Sequence, residues 1–247
     1  MITTKTIKNI VGFNKSSEAG PDKFAFSIFL KGCNLRCPYC MNCRLVKNKD
    51  LKPVNITELE NGIRESKPSI VMISGGEPTC TSIRDLQEII YWLNNFDCFV
   101  GISTNGTNPS VLFDLLPYLK HVTMDLKSNA SGYRKISEKD PYFDIIETWK
   151  MLREHKKDGI RLKASGSFDY EIRTTLYPSL ILSFDTIKEL GQLFRKGEKW
   201  ILQPFRQTKE MLSKKAYYVK PYDDNINQEI LKIAKQYSDA DVELKYV

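Results

Sequence analysis

The chain has 247 residues, 41% hydrophobic and 27% charged, with a net charge of +7. That composition supports a buried core and excludes a disordered or fibrous polypeptide. No apolar run approaches the roughly 18 residues that span a bilayer, and the start Met1-Ile2-Thr3-Thr4-Lys5 lacks a secretory apolar segment, so a cytoplasmic protein with no membrane partner is expected.

In chain order, strand-like runs alternate with helical patterns. Phe24 to Leu30 reads as a strand that leads into a cysteine cluster. Ile56 to Glu65 is helical, with Asn55 or Thr57 as cap. Ser69 to Ile73 is a short apolar strand ending at Gly75-Gly76, and Ser82 to Asn94 carries Leu86, Ile89, Ile90 and Leu93 at helical spacing. Phe99 to Ser103 and His121 to Asp125 are further strands. Phe143 to His155 is a helix, Tyr170 to Leu176 a strand closed by Pro178, and Thr186 to Arg195 a helix. Trp200 to Leu202 is the sixth strand, closed by Pro204. Asn225 to Gln236 is the last helix, and Val242 to Val247 is a candidate terminal strand. Ile160 to Leu162 is a candidate hairpin partner of the fifth strand.

Six strand–helix units imply parallel pairing by crossovers, in a partial barrel or an open doubly wound sheet. Both architectures place chemistry at the carboxyl ends of the strands, where every motif below falls. One domain is expected over 1–247, with a core of about 22–206 and a C-terminal extension over 207–247. In that extension and just before it, Arg206, Lys209, Lys214, Lys215 and Lys220 stand against Glu210 alone. A solvated loop is the plain reading and an acidic partner or phosphate the sharper one; nucleic-acid binding is not inferred.

Of six cysteines, Cys33, Cys37, Cys40 and Cys43 lie within eleven residues. In a reducing compartment such clustering argues for metal rather than disulfides. His121 and His155 are the only histidines and have no metal-ligand spacing, which excludes histidine-rich zinc or copper sites. Cys33-x₃-Cys37-x₂-Cys40 lets one short loop hold three corners of an iron–sulfur cubane, leaving one iron open for a cosubstrate. The alternative is zinc on Cys37, Cys40 and Cys43; the later Cys80 and Cys98 are isolated and read as packing.

Four further strand ends, and one position within the fifth strand, carry chemistry. Ser74-Gly75-Gly76-Glu77-Pro78 combines close-approach glycines with a carboxylate, or is an ordinary turn. Ser103-Thr104-Asn105-Gly106 offers small polar groups for a ribose or carboxylate, or again a turn. Asp125 and Lys127 share one side of an extended backbone. Arg173 needs an anionic partner, either a bound carboxylate or Glu171 or Asp169. Leu202-Gln203-Pro204-Phe205 closes the sixth strand.

With these motifs in place the chain resembles the radical S-adenosylmethionine superfamily: Cys33-x₃-Cys37-x₂-Cys40 with Tyr39 before the third cysteine, followed by Gly75-Gly76-Glu77. Within it the segments Gly12-Phe13-x-Lys15, Met124-Asp125-Leu126-Lys127, Tyr170-Glu171-x-Arg173-Thr174-Thr175 and Leu202 to Arg206 are most similar to activating enzymes of glycyl-radical proteins, of the anaerobic ribonucleoside-triphosphate reductase type. Met41-Asn42 stands where that group usually has His-Asn. The resemblance implies a partial (β/α)₆ TIM-like barrel. It implies a [4Fe–4S] cluster on Cys33, Cys37 and Cys40, and S-adenosyl-L-methionine held by Tyr39, Gly75, Gly76, Glu77, Ser103, Asn105, Asp125, Lys127, Arg173 and Gln203. It further implies a glycyl-radical enzyme partner and a flavodoxin or ferredoxin reductant. Other readings are a radical enzyme acting on a small molecule, as in 7-deazaguanine biosynthesis, one modifying a peptide or RNA, and a noncatalytic iron–sulfur or zinc module.

Overall fold

The computed structural model describes residues 2–17, 25–137, 140–157, 167–178 and 183–246. Among these, a short helix α1 (Thr4–Ile7) precedes strands β1 (Ile10–Ser17) and β2 (Ala25–Leu30). Helices α2 (Cys43–Lys47) and α3 (Ile56–Ser66) lead to β3 (Ile70–Gly75), α4 (Ile83–Leu93) and β4 (Phe99–Thr104). Then come α5 (Pro109–Leu115), β5 (His121–Asp125), α6 (Ala130–Tyr133), α7 (Tyr142–Lys157) and β6 (Asp169–Leu176). The chain closes with α8 (Phe184–Gly191), β7 (Lys199–Pro204), α9 (Asp224–Tyr237) and β8 (Asp241–Leu244).

The strands form one sheet in strict sequence order, β1 to β8. Strands β2 to β8 are parallel and β1 is antiparallel to β2. A doubly wound sheet reverses its strand order at a switch point; this one never does. The order is that of a barrel, but β1 and β8 do not pair, so the barrel is left open. The six expected strands are β2 to β7. The terminal strand is β8, shorter than expected, and the candidate hairpin at Ile160 to Leu162 lies outside the described residues. Strand β1 was not foreseen. It is a half-exposed edge strand with two register irregularities, which blur its alternation. Of the two candidate caps on α3, Asn55 takes the role: its Oδ1 accepts from the backbone N–H of Thr57 at 2.9 Å.

The two faces of the sheet differ. Phe26, Ile28, Val71, Ile73, Val100, Ile102, Val122, Met124, Ile172 and Leu202 alternate onto the helix-covered face and form the main core. The inner face is largely polar. Its rows run Ser103–Thr123–Glu171 and Asp125–Arg173–Ile201–Glu243 across neighbouring strands, with Thr175 beside Gln203 above them. A closed barrel fills its interior with branched apolar side chains. Here the interior is reserved for something polar.

A buried carboxylate locks the helical layer to the far side of the sheet. Glu198 accepts from Trp149 Nε1 at 2.8 Å, Tyr170 Oη at 2.5 Å, Arg153 Nη2 at 3.0 Å and the Arg195 N–H at 2.6 Å. Glu198→Ala strands these donors, and the expected loss is about 3 kcal/mol, read as a lower urea midpoint.

Candidate active site

Strand β2 ends at Leu30, and Gly32, at φ +87°, turns the chain into the cysteine loop. Its N–H donates to Leu45 O at 2.9 Å, which ties α2 beneath the loop. Cys33 and Cys40 are half-buried and Cys37 is buried. The three thiols lie within electrostatic reach of one another. Burial, opposed by the Lys127 charge, pushes the Cys37 thiol up to about 12. Burial also raises Cys33, partly offset by the Leu35 N–H donated to its sulfur. Cys43 begins α2 beside Cys40. Cys80 lies near Cys33 in the turn Pro78–Cys80, and Cys98 sits at the opposite end of β4 beside Asp97.

The two glycines at the end of β3 allow a close approach of backbone to backbone. A Cβ on Gly75 would lie 2.3 Å from Leu30 O, and one on Gly76 only 1.8 Å from Gly32 O. The Gly76 N–H donates to Leu30 O at 2.9 Å and the Glu77 N–H to Gly32 O at 2.7 Å. Glu77, 1% exposed, accepts on Oε1 from Thr79 Oγ1 and Thr104 Oγ1, each at 2.7 Å, and on Oε2 from the Asn105 N–H at 2.6 Å. Burial raises its pKa above the ordinary carboxylate value, and those donors offset part of the rise. Asn105 extends the network to Asn34 Oδ1 at 2.9 Å and lies 3.9 Å from Cys33 Sγ. The turns after β3 and β4 are thus fastened to the cysteine loop.

On the inner face, Lys127 Nζ pairs with Asp125 Oδ2 at 2.7 Å. Burial works against the Lys127 charge, yet Asp125, Tyr39 and Cys37 hold its pKa well above the ordinary lysine range. Arg173 donates through Nε to Glu171 Oε1 at 2.6 Å, so of the candidate partners within the chain Glu171 is the one it meets. Tyr39 stacks on Tyr177 at 4.8 Å, and Phe205 meets Tyr177 edge-on at 5.0 Å, a group of rings on the cysteine loop and just past the carboxyl ends of β6 and β7. Gln203 is half-buried, on the inner-face row with Thr175. The structure therefore gathers every sequence-predicted residue at one rim of the sheet. Sequence reasoning missed Asn34, Thr79 and Thr123. Asn34 adjoins Cys33, and Thr123 precedes Asp125 by two, the inner-face period.

These groups suit a polar ligand beside a cluster. The hydroxyls of Ser103, Thr123 and Tyr39 are buried without a hydrogen-bond partner, and such groups carry a cost that a bound polar molecule removes. The three loop thiols suit a cubane. Among the described residues no three His, Cys, Asp or Glu side chains are drawn around a single ion, and this holds for the loop thiols as for the zinc alternative on Cys37, Cys40 and Cys43.

A partial barrel of sequential parallel strands, with a three-cysteine loop after the first of them and a polar interior, defines an iron–sulfur enzyme that works on a bound cosubstrate at the strand ends. Residues 27–164 match the Radical SAM superfamily, and the chain belongs to it. That family uses a [4Fe–4S] cluster and S-adenosylmethionine. A protein of Methanocaldococcus jannaschii that carries the name glycyl-radical enzyme activating enzyme is 26% identical over 89% of this chain and 88% of its own length. A 7-carboxy-7-deazaguanine synthase of Hyperthermus butylicus is 34% identical, over 37% of this chain and 39% of its own. SuiB of Streptococcus suis, solved with its precursor peptide SuiA, shares the fold with a TM-score of 0.59 at 16% identity; the match covers 87% of this chain and 46% of SuiB, so the chain spans under half of that protein. No described helix is long and apolar enough to cross a membrane.

Two outcomes test the site. Gly76→Ala drives a Cβ into Gly32 O, with an expected cost of roughly 2 kcal/mol or more and poor iron incorporation, measured by iron and sulfide content. The raised Cys37 and Lys127 groups each hold a proton that the unfolded chain releases first. Their contribution is complete below the unfolded values and declines as pH rises toward the folded ones. The metal-free protein should therefore lose urea stability from about pH 9 upward, and cluster loading, which deprotonates the thiols, should flatten the alkaline decline. A urea midpoint that holds level to pH 10.5 in the metal-free protein, on this roughly three-unit window, contradicts the assignment.

Proposed function

We propose that the chain is an activating enzyme that makes a glycyl radical on a partner protein, with Cys33, Cys37 and Cys40 holding the cluster. The observation that carries this reading is the near full-length similarity to a protein named for that role, over 89% of this chain. A second M. jannaschii protein of the same name is 27% identical over 87% of it. When bound, the cluster supplies the electron that cleaves S-adenosylmethionine at its S–C5′ bond, giving a deoxyadenosyl radical that takes a hydrogen atom from the substrate.

The chain's own residues position and enclose that chemistry. Lys127, kept charged beside Asp125, would take the methionine carboxylate, and the buried Glu77 carboxylate the ammonium. Ser103, Asn105 and the unpartnered Thr123 would hydrogen-bond the ribose. Gly75 and Gly76 set the wall of the pocket, Arg173 and Gln203 line its far side, and Tyr39 shields the cysteine loop from water. The open sheet offers a lateral way in for an extended partner loop. The one-electron donor in this reading is a flavodoxin or ferredoxin.

A small-molecule reading has its own support in the 34% identity to 7-carboxy-7-deazaguanine synthase, which covers only 37% of this chain. Anaerobic protein given dithionite and S-adenosylmethionine should form 5′-deoxyadenosine, and adding a glycyl-radical enzyme should give a protein-bound doublet in electron paramagnetic resonance. Consumption of a free metabolite with no protein radical would sink the activase reading. Alanine at Cys33, Cys37 or Cys40 should abolish cluster binding, whereas Cys43→Ala should spare it; iron analysis and the visible spectrum report both.

A further inference from the structure

The chain's positive charge is concentrated in two segments far apart in sequence. Residues 41–53 carry four basic side chains and one acid, and residues 206–220 carry five and one. Together they hold the entire net charge of +7; the remaining residues balance to zero. The fold brings both segments to the cysteine loop. Leu212 N–H donates to Cys40 O and Ser213 N–H to Pro38 O, each at 3.0 Å, so the second segment lies along the loop's outer side. The first begins one residue after Cys40. Met41, Arg44, Lys52 and Glu210, from the two segments, line one cleft. Lys214 and Lys215 follow directly on Ser213 at the start of a turn of 3₁₀ helix.

Arg44, Lys52, Lys209, Lys214 and Lys215 are exposed, and none is in an ion pair among the described residues. Among them stand two exposed apolar side chains, Met41 at 53% and Tyr218 at 86%. Unpaired cations around apolar anchors are the makings of a transient interface with an anionic protein. Because the remaining residues carry no net charge, the excess of positive charge in these segments would orient an incoming acidic partner.

We propose that this face is where a small acidic electron-carrier protein docks and delivers its electron to the cysteine loop. This rests on the reading of Cys33, Cys37 and Cys40 as cluster ligands and names the surface through which that site is served. One electron passes, the carrier losing it and the cluster gaining it, with no bond made or broken. Tunnelling rates fall exponentially with distance, so a carrier must dock where the loop is nearest the surface. Asn34 and Arg36 are the exposed residues of the loop, and Cys40, half-buried like Cys33, is bonded directly by the basic segment, which brings that segment against a cluster ligand. A nucleic acid is the lesser occupant. As a substrate it would have to reach the inner face, where Lys127 and Arg173 are already paired with Asp125 and Glu171.

The test uses cluster-loaded protein and a low-potential acidic flavodoxin. Arg44→Glu, Lys52→Glu, Lys214→Glu and Lys215→Glu are combined in one variant; none of these residues belongs to the cluster or cosubstrate site. At low ionic strength the variant should bind flavodoxin at least tenfold more weakly by calorimetry. Its cluster should bleach at least tenfold more slowly with reduced flavodoxin, while reduction by dithionite and binding of S-adenosylmethionine stay unchanged. Wild-type reduction by flavodoxin should slow as salt rises, and the variant should lose that dependence. Unchanged flavodoxin affinity and bleaching overturn the proposal, as does a variant that loses binding to a polyuridylate oligomer instead. If the variant does not load iron, carbodiimide cross-linking of wild-type protein to flavodoxin decides. Links from Lys52, Lys209, Lys214 or Lys215 support the face, and links elsewhere refute it. Deoxyadenosine formation without any glycyl radical would defeat the activase reading and leave the docking face standing.

Discussion

The site hangs on a backbone contact that only glycine permits. Leu30 to Gly32, leaving β2, and Gly75-Gly76, leaving β3, approach so closely that a single methyl group would overlap a carbonyl oxygen. The approach lets the Gly76 and Glu77 N–H groups bind the carbonyls of Leu30 and Gly32. It also places the Glu77 carboxylate beneath Thr79, Thr104 and Asn105, and Asn105 in turn holds Asn34 next to Cys33. Three loops from three strands are locked by one contact and one buried carboxylate. A three-thiol site needs such support, because eight residues of loop have no regular secondary structure to fix them.

The second constraint is the open barrel with a polar interior. Parallel sheets normally bury both faces in apolar side chains. This one has its main apolar core on the helix-covered face, while the other carries a small cluster of Ala25, Ile70 and Met72 together with the pairs of Glu171, Arg173, Asp125 and Lys127. The Arg173–Glu171 pair is buried while the Asp125 side chain is 42% exposed, and pairs of either kind contribute little to net stability. Hydroxyls left without partners among them mark where a polar ligand completes the interior. The rings of Tyr39, Tyr177 and Phe205, just past the carboxyl ends of β6 and β7 and on the cysteine loop, add apolar contact and fixed ring geometry at the same rim.

Much of this was legible in the sequence. The cysteine spacing, the strand ends that carry Glu77, Asn105, Asp125 and Arg173, and the six strand–helix units all follow from local order, because parallel crossovers align strand ends on one rim. What the residues alone left ambiguous were questions of partnership. Arg173 had a bound carboxylate, Glu171 or Asp169 open to it, and the structure pairs it with Glu171. Gly75 and Gly76 read as a close-approach segment or an ordinary turn, and the structure shows the β2–β3 approach that they permit. Strand β1 was hidden because an irregular edge strand with exposed residues lacks a clean alternation.

The sequence by itself determined the chemistry available: which thiols stand at cluster spacing, which family the motifs resemble, and that the core is built from alternating strands and helices. These depend on neighbours within a few residues. Tertiary structure decided the strand order that makes an open barrel rather than a doubly wound sheet, and the polar inner face. It also decided the meeting of residues 41–53 with 206–220 around the cysteine loop. Each of these joins groups distant in the chain, and no local pattern encodes which distant group will lie beside which.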